Sequence, residues 1–302
     1  MPEPPDVSII IVSYNTRDML GDALAAIPLA VHPHRYDVWV VDNNSSDGSA
    51  LMVRERFPDV VLIENDHNPG FAAANNQAIT QCSGRNVLLL NPDTEARPGS
   101  IAQLIDYCEL HPGVGAIGPK LLNTDGTVQL NGARFPSPVR ELLHYMGLQR
   151  LIPAENLLKY RYGRADFSLE AEVDQVSGAC IMVPAAVLSK VGSLDDGFFM
   201  FFEEVEWCWR IKQAGFKVIY LPAACVVHHW MGSVRANYRA MERELNKSRR
   251  RYYRITGNVC VRIGGELCST VASARAEIFW LGSRVKRSLR ALKSRLVARR
   301  SV

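Results

Sequence analysis

Short apolar runs and helical periodicities alternate along the first hundred residues. Four runs of apolar side chains, each long enough for one buried strand, are followed by polar turns and then by apolar residues at helical spacing. The runs lie at residues 7–13, 37–42, 60–63 and 87–90. Strands that alternate with helices form βαβ units, so this half of the chain predicts an α/β fold with a mostly parallel sheet.

The regular alternation ends beyond residue 113. Residues 114–134 predict a strand and a hairpin, and residues 173–183 predict a strand that is kinked at its small side chains. A further short strand is predicted at 223–230. Residues 135–172 show little periodicity, so we expect an irregular excursion there.

The composition is typical of a soluble globular protein, with 302 residues, 47% hydrophobic and 22% charged. No stretch reaches the roughly 18–20 apolar residues that span a bilayer, and the first residues lack the pattern of a signal peptide. The seven cysteines are never spaced as Cys-x-x-Cys, which argues against structural zinc and a disulfide framework. We therefore expect a cytoplasmic protein.

The net charge of +4 conceals an asymmetry between the two ends of the chain. Residues 284–302 carry eight Lys or Arg and no Asp or Glu, which leaves −4 on the rest (+4 minus +8). Val285, Leu289, Leu292 and Leu296 recur at helical spacing, so the tail predicts a basic amphipathic helix on an anionic membrane. A solvated helix, or a helical pair that forms a homodimer, is the alternative. No nucleic-acid motif accompanies the charge, so nucleic acid is not an expected partner.

The loops after the predicted strands are polar, and the first one contains no glycine. It reads Ser13-Tyr14-Asn15-Thr16, where a dinucleotide-binding fold requires Gly-x-Gly-x-x-Gly, and a P-loop is also absent from the sequence. At the end of the second strand, Asp42 is placed to accept a hydrogen bond from the imide N–H of a uracil or thymine ring. A turn or helix-cap carboxylate is the alternative for this residue.

The fourth predicted strand ends in Asn91-Pro92-Asp93, at the position where open α/β sheets bind their ligands. An Asn and an Asp two positions apart offer hard oxygen ligands to a divalent cation, although a plain surface turn has the same composition. His228 or His229, near the end of a predicted strand, is a candidate nitrogen ligand for the same metal.

Glu203, Glu204 and Glu206 follow an aromatic run at residues 198–202. Carboxylates at the start of a helix complement its dipole, which is a sufficient structural explanation. A carboxylate held against aromatic rings would also have a raised pKa, as a general base for a hydroxyl requires. Both interpretations stay open on these residues alone.

Taken in order, these motifs resemble glycosyltransferase family 2, and within it the rhamnosyltransferase-like branch. The matching stretches are residues 8–15, 40–49, 68–76, 90–94, 176–180 and 198–206, together with His228. The resemblance covers roughly residues 6–235. It implies an α/β glycosyltransferase domain of the GT-A type at 1–235, with a mixed sheet, followed by a basic helical extension at 236–302.

The resemblance implies an inverting transfer from a nucleoside diphosphate sugar, with Mg²⁺ or Mn²⁺ as the cofactor. It implies that Asp93, Asn91 and His228 hold the metal ion, with Asn91 replacing the first Asp of the family's Asp-x-Asp motif. The implied donor-binding residues are Ser13, Tyr14, Asn15, Asp42, Asn44, Asn76, Asn91, Asp93, Ser177 and Gly178.

The resemblance also implies that Glu204 is the catalytic base, with Glu203 and Glu206 as competitors. The expected substrates are dTDP-rhamnose or a similar sugar nucleotide and a glycan or polyprenyl-linked acceptor. The expected location is the inner face of the cytoplasmic membrane, where the enzyme would reach both substrates. Two alternatives remain: a sugar nucleotidyltransferase, whose Gly- and Arg-rich phosphate loop is missing here, and a catalytically inactive glycan-binding relative.

Overall fold

One ten-stranded mixed sheet forms the centre of the protein. The computed structural model describes residues 3–164, 166–229 and 238–275. The strands are β1 (Val7–Ser13), β2 (Tyr36–Asp42), β3 (Val61–Glu64), β4 (Asn86–Leu90), β5 (Thr94–Ala96), β6 (Val114–Leu122), β7 (Val128–Gln129), β8 (Ala171–Val173), β9 (Cys180–Pro184) and β10 (Lys217–His228). The helices are α1 (Arg17–Val31), α2 (Ser49–Arg56), α3 (Phe71–Ile79), α4 (Ser100–Leu110), α5 (Pro138–Tyr145), α6 (Ala154–Tyr162), α7 (Ala185–Val191), α8 (Glu203–Gln213) and α9 (Tyr238–Thr256).

The strand order across the sheet is β3-β2-β1-β4-β9-β6-β10-β5, with β7 paired to β6 and β8 paired to β10. Strands β3, β2, β1 and β4 pair in parallel, as the alternation in the first hundred residues predicts, and so do β6 and β10. Strand β9 runs antiparallel between β4 and β6. The α/β fold with a mixed sheet is therefore confirmed, and the carboxyl ends of β1, β2 and β4 meet at one edge.

Helices cover both faces of the sheet, which explains why its central strands are continuously apolar. Ile9 and Ile11 of β1 belong to a core formed with α1 and α4, whereas Ile10 and Val12 belong to a second core formed with α3 and α8. Every residue of β1 and β4 is buried. Because these strands are held on both faces, the loops that follow them start from fixed positions.

Residues 135–172 are not irregular, so that prediction is wrong. They contain α5, a 3₁₀ turn at Leu148–Leu151 and α6. Proline begins α5, where its missing N–H costs nothing, but none of the α5 side chains is fully buried. Helix α5 has eight residues and α6 has nine, so each offers little more than two turns in which a helical periodicity could be recognised from the sequence.

Two predicted strands differ from those observed. The strand predicted at 173–183 is split, because β8 ends at Val173 and pairs with β10, whereas β9 begins at Cys180 and pairs with β4 and β6. The small residues between them form a connection rather than a kink. The strand predicted at 223–230 is the last part of the twelve-residue β10, and residue 230 lies outside the described residues.

Helix α9 packs against the aromatic segment that precedes α8. Tyr252 and Tyr253 share a hydrophobic cluster with Phe198, Phe202 and Val205. The cluster attaches the described C-terminal helices to the part of the fold that carries the glutamates.

The segment at 236–302, predicted as a basic helical extension, is described only in part. Its described residues form α9 and a further helix at 259–275. The domain boundary at residue 235 stays a prediction, and the basic tail at 284–302 lies outside the described residues. Within the described ranges, no helix is long and apolar enough to cross a bilayer.

Candidate functional site

The loops after β1 and β2 are held together by Asn15. Its backbone has a φ of 54°, its N–H donates to Ser45 Oγ at 2.9 Å, and its Oδ1 accepts the N–H of Ser46 at 2.8 Å. Ser13 Oγ is bonded to Thr16 Oγ1 at 3.0 Å, whereas Tyr14 is 47% exposed. Asn15 and Ser13 therefore shape the loop, and the Tyr14 ring is the side chain of this loop that is left open to a ligand.

Asp42, at the end of β2, has one carboxylate oxygen without a partner. The residue is 3% exposed, and Oδ2 accepts the N–H of Ser45 at 2.8 Å. Oδ1 is buried and has no hydrogen-bond partner among the described residues. Buried polar atoms are nearly always bonded, so an unpaired carboxylate oxygen at a strand end indicates a place for a donor group from a ligand.

A group of asparagines fixes the loops around Asp42, and sequence reasoning missed most of it. Asn43 Nδ2 donates to Asn68 Oδ1 at 3.2 Å, and Asn65 Nδ2 donates to Asn43 Oδ1 at 2.9 Å. Asn44, which was predicted to bind the donor, has a φ of 63° and donates to the carbonyl of Asp66 at 3.0 Å. The run of Asn residues between 65 and 76 was the available signal, but their mutual bonds are visible only in the fold.

Asn76, also predicted to bind the donor, is bonded to the protein itself. Its Nδ2 donates to the carbonyl of Leu194 at 2.8 Å, and its Oδ1 accepts the N–H of Leu194 at 3.1 Å. The amide thus fastens α3 to the connection before α8. The structure assigns it this structural role and does not bring it into the group of strand-end side chains.

Asp93 and His228 are brought together at the carboxyl edge of the sheet. Strand β5 runs antiparallel to β10 and places Thr94 opposite His228, so the turn after β4 lies beside the end of β10. Asp93 Oδ1 is 3.3 Å from His228 Nε2. Asn91 precedes them in the same turn, and its carbonyl accepts the Thr94 hydroxyl at 2.6 Å.

Gln129, which the sequence did not single out, fixes the tautomer of His228. Gln129 Nε2 donates to Asn123 Oδ1 at 3.1 Å, so the carbonyl end of the Gln129 amide faces the imidazole. His228 Nδ1 lies 2.7 Å from that oxygen and must therefore carry a hydrogen. In the neutral ring this leaves the lone pair of Nε2 facing the Asp93 carboxylate.

This arrangement fits a divalent cation. Two cis ligands at about 2.1–2.2 Å from an octahedral ion are roughly 3 Å apart, close to the separation of Asp93 Oδ1 and His228 Nε2. A second ring nitrogen held by a hydrogen-bond acceptor is the usual setting of a metal-binding histidine. The described residues contain no group of three or more His, Cys, Asp or Glu suited to a metal, so the remaining ligands would come from the donor and water.

Glu203 and Glu204 begin α8 directly after two residues with left-handed backbone. Phe201 and Phe202 have φ angles of 70° and 69°. A positive φ in a bulky residue costs of order 1–3 kcal/mol, and such strain concentrates at functional sites. The strained turn sets the first residue of α8 and thereby the position of both carboxyl groups.

The carboxyl group of Glu204 lies against Gly178, in the connection between β8 and β9. A Cβ atom at position 178 would come within 3.5–3.7 Å of the Glu204 side chain. Burial raises the pKa of Glu204, while hydrogen bonds from backbone N–H groups, including that of Gly178, act in the opposite direction. Ser177, in the same connection, is bonded to Asn131 Oδ1 through its N–H at 2.8 Å and shapes the turn.

Glu203 is a neutral neighbour of Glu204. Burial raises the pKa of Glu203 well above its usual range, and the negative charge of Glu204 raises it further. Two adjacent buried carboxyl groups ionise together only at high cost, so Glu203 keeps its proton and Glu204 loses its own first. This environment favours Glu204 as the general base.

Glu206 is committed to an ion pair. Its two oxygens accept from Arg210 Nε at 2.8 and 2.9 Å, and Arg210 also donates to the carbonyls of Val191 and Ser193. Burial raises the pKa of Glu206, and the Arg210 charge opposes that rise. Glu206 therefore ties α8 to the end of α7, and the structure gives no support to a role as base.

A family model and several similar proteins are named as sugar transferases. The model of Glycosyltransferase like family 2 matches residues 4–254. The chain is 31% identical over 233 residues to an N-acetylglucosaminyl-diphospho-decaprenol L-rhamnosyltransferase of Mycobacterium tuberculosis, covering 73% of this chain and 75% of that protein. It is 28% identical over 229 residues to the low-salt glycan biosynthesis hexosyltransferase Agl10 of Haloferax volcanii, and the match covers 74% of this chain and 67% of that protein.

Solved structures share the fold at low sequence identity. The mannosyltransferase PcManGT from Pyrobaculum calidifontis, in complex with GDP-Man and Mn²⁺, has a TM-score of 0.57 and 17% identity and covers 94% of this chain and 81% of its own. S. aureus TarS (residues 1–349 of that protein) has a TM-score of 0.53 and 13% identity, and the match covers 82% of this chain and 64% of the TarS chain. The predicted GT-A fold and glycosyltransferase activity are confirmed. This chain belongs to Glycosyltransferase like family 2.

Proposed function

We propose that this chain is an inverting, metal-dependent glycosyltransferase that moves a hexosyl group from a nucleoside diphosphate sugar to a hydroxyl of a glycan acceptor. The pair of Asp93 and His228 carries the proposal, because a carboxylate oxygen faces the lone pair of Nε2 at 3.3 Å. A cation between these two atoms, either a proton on Nε2 or a metal ion, balances the charge of the carboxylate. In the proposed function a metal ion brought in with a diphosphate takes this place.

In the proposed reaction, Asp42 accepts a hydrogen bond from the base of the nucleotide, and Asp93 and His228 hold the metal ion. The bound ion supplies Lewis-acid stabilisation of the charge that develops on the leaving diphosphate. Glu204 takes the proton of the acceptor hydroxyl while that oxygen attacks the anomeric carbon. The bond from this carbon to the diphosphate oxygen breaks on the opposite face, so the configuration inverts.

The proposed substrates are dTDP-rhamnose and a polyprenyl-diphosphate-linked glycan. The likeness to the mycobacterial L-rhamnosyltransferase, whose name specifies a diphospho-decaprenol acceptor, supports both choices. The unpartnered oxygen of Asp42 supports a base with an imide N–H, which thymine and uracil have and which adenine lacks.

The test is nucleotide release from dTDP-rhamnose and UDP-sugars in Mg²⁺, Mn²⁺ or EDTA. We expect dTDP release that requires a metal ion, an inverted glycosidic bond in the product by NMR, and severe losses in Asp93→Ala and Glu204→Gln. Full activity in both variants would contradict the site. Pyrophosphate formed from dTTP and a sugar 1-phosphate would instead identify a nucleotidyltransferase, and nucleotide binding without turnover an inactive relative.

We further propose that the enzyme works at the inner membrane surface. Val259, Ile263 and Leu267 are 68%, 58% and 55% exposed and lie at i, i+4 and i+8, opposite the side of the 259–275 helix that is buried against α5 and α9. An exposed apolar stripe of this kind, close in sequence to the basic residues at 284–302, suits an anionic membrane.

Sedimentation with phosphatidylglycerol vesicles tests this location. Replacing the three stripe residues by Ser should weaken vesicle binding, whereas Leu110→Ser, at a residue 76% exposed at the end of α4, should not. A triple variant that binds vesicles normally but dissociates a dimer in analytical ultracentrifugation would assign the stripe to a second copy of the chain.

A further inference from the structure

A cavity of about 230 Å³ lies between residues 134–137 and helices α5 and α6. Its wall includes Arg134, Phe135, Arg140 and Tyr160, together with Glu141 and His144. No residue assigned above to the donor, the metal or the base lines it.

The wall of the cavity is positively charged. Among the described residues, neither Arg134 nor Arg140 forms an ion pair with a carboxylate, and Arg140 donates only to the carbonyl of Phe135. Glu141, the carboxylate in the wall, is 3.1 Å from Arg249 Nε and is thereby neutralised. The Tyr160 hydroxyl is buried and unpartnered, so it is a further donor available to a ligand. Two guanidinium groups without a carboxylate partner and an unpartnered hydroxyl suit an anion with several oxygens.

The cavity adjoins the elements that carry the proposed base. Phe135 packs on the cluster of Phe198 and Phe202, which directly precedes Glu203. The N–H of Phe135 also donates to Asp174 Oδ2 at 2.9 Å, in the connection that leads to Gly178. A ligand in the cavity therefore adjoins the two segments that lead to the proposed base and to Gly178.

Apolar side chains on the same segment are exposed to solvent. Val139 of α5 is 67% exposed, Met146 is 59% exposed and Leu151 of the 3₁₀ turn is 81% exposed. Exposed apolar groups around a cationic cavity match an amphiphile whose anionic head is attached to a hydrocarbon chain.

We propose that this cavity binds the diphosphate of a prenyl-diphosphate-linked acceptor, with the prenyl chain lying over the exposed apolar residues of α5 and the 3₁₀ turn. The proposal rests on the glycosyltransferase function proposed above. At about 230 Å³ the cavity is smaller than the roughly 300–1,000 Å³ of pockets that enclose a whole drug-sized ligand, so it accommodates the head group alone. The donor also has a diphosphate, and the test separates the two sources.

Calorimetric titrations of the full chain with geranylgeranyl diphosphate, inorganic pyrophosphate, farnesol and dTDP test the site without turnover. The doubly substituted Arg134→Ala/Arg140→Ala protein should bind geranylgeranyl diphosphate at least tenfold more weakly and dTDP as the wild type does. Tyr160→Phe removes only a hydroxyl and should weaken prenyl diphosphate binding severalfold. This variant tests the site in place of the double variant if the double variant does not fold. Arg150→Ala is the matched control, because Arg150 is an exposed arginine of the same segment outside the cavity wall.

Unchanged affinity for geranylgeranyl diphosphate in these variants, or no binding by the wild type, overturns the site. Equal loss of dTDP binding would assign the arginines to the donor and also overturns it. Farnesol binding as tightly as the diphosphate would show that the chain, not the cavity, holds the ligand. If the wild type binds prenyl diphosphate through these arginines but transfers no sugar, the cavity stands and the proposed reaction fails.

Discussion

His228 Nε2 lies 3.3 Å from Asp93 Oδ1, while Nδ1 of the same ring lies 2.7 Å from Gln129 Oε1. A second pair of the same kind lies directly after the end of β10, where His229 Nε2 is 2.8 Å from Glu95 Oε1. The two pairs differ in burial, because the His228 side chain is 8% exposed and that of His229 is 34% exposed. Among the described residues, only the buried pair has a hydrogen-bond acceptor on the far side of the ring that fixes the tautomer, so it is the pair suited to a metal ion.

Asp93→Asn should lower kcat by about a hundredfold or more, since the stabilisation by a bound metal ion is worth several kcal/mol. It should also weaken binding of Mn²⁺ and dTDP together, measured by calorimetry. Glu95→Gln is the control, because it makes the same chemical change in the exposed pair. Equal losses in the two variants would remove the basis for singling out Asp93.

Gln129→Leu should remove the hydrogen-bond acceptor that holds the His228 ring in its Nδ1–H tautomer. The leucine cannot accept a hydrogen bond from Nδ1–H, so the ring would also populate the Nε2–H form, which cannot bind a metal ion through Nε2. The ¹⁵N shifts of the His228 ring in the metal-free protein report the tautomer directly. Gln129→Glu retains an acceptor and should restore the wild-type tautomer, whereas an unchanged tautomer in Gln129→Leu would contradict the assigned role.

The ends of β1, β2 and β4 could be predicted from the sequence because the last part of each strand is an apolar run. These runs end at Val12, Val41 and Leu90, so the polar residue after each one, Ser13, Asp42 and Asn91, marks the sheet edge. The antiparallel β5 and the two-residue β7 carry no such pattern. Gln129 was missed for this reason, since only the sheet brings it to His228 from 99 residues away.

What the sequence could not reveal is which polar side chains the protein uses for its own structure. Asn76 lies within a motif of the family, yet its amide is bonded to a backbone 118 residues away. Glu206 is a glutamate in the first turn of α8, as Glu203 and Glu204 are, but its carboxylate is bonded to Arg210 one turn later. A pattern records residue type and spacing, whereas these assignments depend on which partner each side chain takes in the folded chain.

Glu204→Gln should abolish transfer, with a loss of about 10²–10⁴-fold in kcat, because the amide cannot take the proton of the acceptor hydroxyl. Glu203→Gln should keep most of the activity, since burial and the charge of Glu204 raise the pKa of Glu203 well above its usual range and so favour its neutral form. Because burial raises the pKa of Glu204, the acid limb of the wild-type kcat/KM profile should lie above the usual carboxylate value of 4.5. A greater loss in Glu203→Gln than in Glu204→Gln would reverse the two roles.

Glu203→Gln should stabilise the protein at high pH. The pKa of Glu203 is higher in the folded than in the unfolded chain, so its contribution to stability is complete below about 4.5 and is lost as the pH rises through the folded value. Glutamine mimics the neutral form at every pH. Thermal unfolding should therefore show a gain of a few degrees at pH 8 that disappears near pH 4, and a constant difference between the two proteins would contradict this linkage.

Glu206→Ala should lower the free energy of unfolding by about 2–3 kcal/mol, because it leaves the partly buried guanidinium of Arg210 without its carboxylate. Glu206→Gln keeps one acceptor and should cost less, while its kcat per folded molecule stays close to that of the wild type. Urea unfolding measures the first quantity and nucleotide release the second. The control is Glu172→Gln, in a pair with Lys212 whose carboxylate is 47% exposed, where the loss should stay below about 1 kcal/mol. Loss of activity in Glu206→Gln with unchanged stability would instead return Glu206 to the candidates for the base.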